Sequence, residues 1–70
     1  MNQPYVYEIV VDGVLTESWS DWFGDMTLVA QPDNRTLMYG ILDDQSALFG
    51  VLSRIHSLNL ALVSVERKGK

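Results

Sequence analysis

Only one stretch of this chain holds a helical repeat over several turns, and it sits among segments that alternate with a period of two. Ala47, Leu48, Val51, Leu52, Ile55 and Leu58 recur at the helical spacing, while Gln45, Ser46, Ser53, Arg54, His56 and Ser57 fill the polar side. Phe49 falls off the apolar stripe, toward one flank. The pattern predicts an amphipathic helix begun by Asp43 or Asp44 as N-cap and ended by a left-handed Asn59, with Leu60 folded back as in a Schellman motif. Gly50 costs ~1 kcal/mol relative to Ala inside a helix, which points to close packing there. Tyr5–Val11 is β-branched and aromatic, with Tyr5, Tyr7, Ile9 and Val11 on one face and Val6, Glu8 and Val10 on the other. Met26–Gln31 and Thr36–Leu42 read as a hairpin around Pro32-Asp33-Asn34, with Gly40 marking a bulge or a close approach. Leu60–Val65 is a final strand, apolar on both sides, with Leu60, Leu62 and Ser64 opposite Ala61, Val63 and Val65.

Between the first strand and the hairpin, two readings compete. Asp12-Gly13 is a hairpin signal that would make residues 14–19 a strand. Against it, Ser18 is a good N-cap, Asp21 sits at N3, Trp19, Trp22 and Phe23 share one helical face, and Gly24 is placed to stop a helix. The short helix is preferred. The resulting order, β-helix-β-β-helix-β, predicts an α+β domain of the ferredoxin-like βαββαβ type, with a short first helix and a four-stranded antiparallel sheet. Both helices then cover the same face, and Val6, Val10 and Leu62 are expected on the bare one.

Seventy residues make one domain, 1–70, with an ordered core of about 5–66 and a basic tail at 67–70. A chain this short buries a modest fraction of its surface, and it has no cysteine to staple it. Cys-ligated zinc and iron–sulfur sites are thereby excluded, and a reducing compartment is favoured. Hydrophobic residues make up 47% of the chain, more than so small a core readily hides. No leader and no membrane-length apolar run is legible, so a cytoplasmic location is expected. Residues 1–34 hold six carboxylates and no base, whereas residues 35–70 hold five bases against three acids. A net charge of −4 disfavours nucleic acid, whose binding is carried mainly by phosphate contacts. Tyr5, Tyr7 and Tyr39 resemble a stacking platform but lack the basic segment that should accompany it.

Three segments carry a resemblance. Trp19-Ser20-Asp21-Trp22-Phe23, Asp44-Gln45-Ser46-Ala47-Leu48-Phe49-Gly50-Val51-Leu52 and Leu60-Ala61-Leu62-Val63-Ser64-Val65 together resemble a family of short, stand-alone, uncharacterised bacterial proteins, from about Tyr5 to Val65. The resemblance implies a bacterial source and no particular chemistry.

No catalytic set assembles from the residues. His56, the lone histidine, lies on the polar side of the long helix, and no serine stands in a nucleophile motif. Asp12, Glu17, Asp21 and Asp25 lack calcium-loop spacing, and capping or turn roles account for them and for Asp43-Asp44. No metal site and no cofactor is expected. Trp19, Trp22 and Phe23 are the most informative cluster: core plugs by the burial habit of aromatics, or a binding hot spot. The expected function is a non-enzymatic protein-interaction or self-association module, with a homodimer or protein partner. Its surface would draw on Trp19, Trp22, Phe23, Val6, Val10 and Leu62. The alternative is a small-ligand sensor with an apolar pocket.

Overall fold

The computed structural model describes residues 5–24 and 26–68, the side chain of Glu17 excepted. The chain forms β1 (Tyr5–Asp12), a 3-10 helix (Glu17–Phe23), β2 (Thr27–Ala30), β3 (Arg35–Leu42), α1 (Gln45–Ser57) and β4 (Leu62–Lys68). The architecture is α+β. One four-stranded antiparallel sheet runs β2-β3-β1-β4, so the first and last strands are neighbours.

Pairing register decides what is buried. Directly opposed residues share a face of the sheet. Ile9 opposite Met38 and Val11 opposite Thr36 therefore line one face, with Leu28 beside Met38 on β2. All five are buried. α1 lays Val51 and Ile55 onto this layer, each side chain contributing roughly 1.5–3 kcal/mol by leaving water. Phe23, Met26 and Leu15 complete the core. Thr36 is its one buried polar side chain among the described residues. The Thr36 hydroxyl donates to the Gly13 carbonyl at 2.7 Å and accepts from the Leu15 amide at 2.9 Å. It thereby pins the loop after β1 against β3.

The ends of α1 are closed as the sequence predicts. Asp44 is the N-cap, its carboxylate accepting from the Ala47 amide at 2.9 Å. At the other end the Leu60 amide donates to the Ile55 carbonyl and the Asn59 amide to the His56 carbonyl, with Asn59 at φ 62°. Those two bonds make a Schellman motif. Gly40 marks a close approach and no bulge: the Met26 backbone passes 3.5 Å from where a Cβ would stand. Gly50 does not mark one. A Cβ there would meet only the flexible Arg54 guanidinium, at 3.4 Å.

Three expectations need correction. Residues 14–16 form neither strand nor helix, and the short helix starts at Glu17 with Thr16 as its N-cap in place of Ser18. It is a 3-10 helix, stopped by a left-handed Gly24 as anticipated. The basic segment does not trail away at once: Arg67 and Lys68 lie within β4, opposite Tyr7 and Val6. Finally, β4 carries a register shift between the partners of Val10 and Val11. Ser64 opposes Val10 but Leu62 opposes Val11, so Leu62 belongs to the helix-side face and not to the bare one.

Candidate interaction surface

The aromatic segment divides. With three residues per turn, a 3-10 helix stacks Trp19 over Trp22 and turns Phe23 a third of a turn away. Phe23 is fully buried, while Trp19 and Trp22 stay 38% and 46% exposed. An α-helical period would have kept all three on one face, which is why the sequence groups them.

Trp22 borders an open cleft of about 370 Å³ between the 3-10 helix and α1. Asp21, Asp43 and Ser46 supply its polar groups, and Gly50, Val51 and Leu42 its floor and wall. The Arg54 guanidinium lies 5.8 Å from the Trp22 ring centre. Sequence reasoning placed Arg54 on the polar side of the helix; its closeness to Trp22 has no local signal.

Val6 and Val10 fall on the other face of the sheet, as expected, beside Leu37, Tyr39 and Ile41 of β3 and Val29 of β2. No helix covers this face among the described residues. Ile41 is 66% exposed, and Tyr39 and Val29 are exposed as well. The β4 side of the same face is charged. Lys68 reaches Glu66 at 2.9 Å and Glu8 at 3.9 Å. Its hydrogen bond and charge hold the Glu66 carboxyl below the ordinary carboxylate range, and Glu66 in turn raises the Lys68 ammonium. The β3 residues of this face were legible as an alternating set, but nothing in one strand's sequence says which side a helix will cover.

Leu62 lies apart from both regions. It, Val63 and Val65 form an exposed apolar run along the β4 edge. The six residues picked from the sequence are thus spread over three places: the two indoles at the cleft side, Phe23 in the core, Val6 and Val10 on the open sheet face, and Leu62 at the edge.

Asp12 and Asp33 have structural work. Asp12 accepts from Arg35 at 2.9 Å and Asp33 stands 3.4 Å from the same guanidinium, tying the end of β1 to the start of β3. Asp25 lies outside the described residues. Among the described residues, no group of three or more His, Cys, Asp or Glu side chains could hold a metal ion. No helix among them is long and apolar enough to cross a membrane. His56 is exposed near the end of α1.

A family profile for a domain of unknown function, DUF8691, matches residues 6–66. The chain belongs to the DUF8691 family. The match spans this DUF8691 domain from β1 into β4 and takes in the aromatic segment, the hairpin and α1. No curated protein and no solved structure matches it.

Proposed function

We propose that this domain is a non-enzymatic self-association module of the bacterial cytoplasm, built on a ferredoxin-like βαββαβ plan whose first helix has shrunk to a 3-10 turn. The strand order β2-β3-β1-β4 supports that plan. The absence of cysteine fits a reducing compartment. One observation carries the functional reading: among the described residues a single 13-residue α-helix covers part of one face of the sheet, and large apolar side chains remain exposed on the other face, at Ile41 and Tyr39, and along the β4 edge, at Leu62 and Val65. Scattered apolar exposure is ordinary, but contiguous exposure on one sheet face and one edge marks an interaction surface.

Sedimentation equilibrium from low micromolar to near-millimolar protein tests the proposal. A mass that climbs from monomer to a defined oligomer supports it; a monomer at every concentration removes it.

The cleft beside Trp22 favours a second reading, a small-ligand sensor. Its volume lies within the range of ligand sites, and it combines an exposed indole with a few polar groups. A ligand that binds there raises Tm by mass action, and the Trp22→Ala variant loses that rise. A metabolite screen without any such shift excludes it.

A further inference from the structure

The inner face of the sheet does not stop at β1. Most of its positions on β1 and β3 are buried, Ile9, Val11 and Met38 among them, yet the same face continues onto β4 with Leu62 and Val65 exposed. Val65 opposite Ile9 is 37% exposed and Leu62 opposite Val11 is 49% exposed. The cause is a lateral displacement of the helical layer. The 3-10 helix packs on β2, and α1 packs on β3 and on the 3-10 helix. The flank of α1 carrying Gly50 and Arg54 borders the cleft. The helical repeat therefore turns Leu48 and Leu52 to the opposite flank, on the β4 side, where both are only partly buried.

β4 is at the same time an edge strand of seven residues with no strand beyond it among the described residues. The other edge, β2, has four residues and is packed by the 3-10 helix. Edge strands present a row of unpaired amides and carbonyls, and proteins usually blunt them with proline, charge or a covering element. The first four residues of β4, Leu62-Val63-Ser64-Val65, have neither proline nor charge and are interrupted only by the bulge, whereas Glu66, Arg67 and Lys68 charge its far end, where the Arg67 guanidinium lies 4.4 Å from the Tyr5 ring centre.

We infer that β4 pairs antiparallel with β4 of a second copy about a two-fold axis, joining two sheets into one of eight strands. The inference rests on the self-association reading and names the surface it uses. An antiparallel strand pair is its own two-fold partner, and each copy lacks the same side wall of its core. Leu62, Val65 and the Leu52 flank of one copy close the open side of the other. Charge selects the register. Centring on Glu66 would set two like carboxylates face to face, whereas centring on Val65 opposes no like charges: Ser64 meets Glu66, Val63 meets Arg67 and Leu62 meets Lys68. The area is at the low end for a specific contact. Seven residues extend about 23 Å, and the shortest dimension of the molecule is 20 Å. The strip covers roughly 450 Å² per copy and about 900 Å² in total, close to the ~1,000 Å² of a specific interface before main-chain hydrogen bonds are added.

A chain without cysteine allows a clean test with single-cysteine variants. Val65→Cys and Ile41→Cys report on the edge and the open face respectively, and neither introduces a charge that threatens folding. On mild oxidation at low micromolar concentration, Val65→Cys is expected to convert to covalent dimer and Ile41→Cys to remain monomeric on denaturing gels. Val63→Lys, with its fold checked by circular dichroism, is expected to raise the dimer dissociation constant at least about tenfold. Phe49→Lys, at an exposed position of α1 away from β4, should leave it unchanged. A wild-type chain that never dimerises sinks the self-association reading and the edge together. A wild-type dimer that cross-links through Ile41→Cys but not Val65→Cys keeps self-association and overturns the β4 assignment.

Discussion

Replacing Thr36 by valine removes one oxygen from the centre of the domain and leaves its shape unchanged. The hydroxyl has two partners, the Gly13 carbonyl at 2.7 Å and the Leu15 amide at 2.9 Å. Valine offers neither group. Gly13 is only half-buried, so its carbonyl can recover a water. Leu15 is buried, so its amide is left without a partner. An unsatisfied buried donor costs about 1–3 kcal/mol, and the lost bond to Gly13 adds to it. A loss of about 2 kcal/mol is therefore expected, partly offset by the apolar methyl. Domains of this size have roughly 4–10 kcal/mol in total, and the loss should lower Tm by about 8–16 °C. Urea unfolding followed by far-UV circular dichroism measures it, with the slope m compared between variants. Thr36→Ser separates the causes: it keeps both hydrogen bonds and loses one buried methyl, for about 1 kcal/mol. A valine variant as stable as wild type with the same m, or a serine variant worse than the valine one, would refute the reasoning that the hydroxyl is what holds the loop.

Other consequences are smaller. Gly50→Ala should stabilise by about 0.5–1 kcal/mol, because the site is helical and open, and the same unfolding experiment reads the gain. Asp44→Ala removes the bond to the Ala47 amide and should cost about 1 kcal/mol, whereas Asp44→Asn should retain most of it. Glu66 titrates below the ordinary carboxylate value because Lys68 donates to it and faces it with a positive charge. A group lowered on folding stabilises above its unfolded value, and that contribution disappears as pH falls through the folded one. Lys68→Met should return the Glu66 carboxyl, followed by carbon NMR, to the ordinary range; an unchanged midpoint would mean the pair does not form in solution.

The sequence by itself determined what depends on neighbours within a few positions. The period of Ala47–Leu58, the Asp44 cap, the Asn59 and Gly24 terminators and the Pro32-Asp33-Asn34 turn are all local chemistry, and the chain folds accordingly. So is the alternation of β1 and β3, which sorts Val6 and Val10 from Ile9 and Val11 whatever the pairing. Tertiary structure decided what depends on registry between distant segments. The choice of a 3-10 over an α-helical turn sent Phe23 inward and left both indoles outside, a difference of 0.6 residue per turn that seven residues cannot specify alone. One extra residue in β4 moved Leu62 to the opposite face, since strand side chains alternate and a single insertion inverts every position beyond it. The burial of Thr36 and the unroofed wall along β4 likewise arise from where a loop and a helix come to rest, which no window of sequence contains.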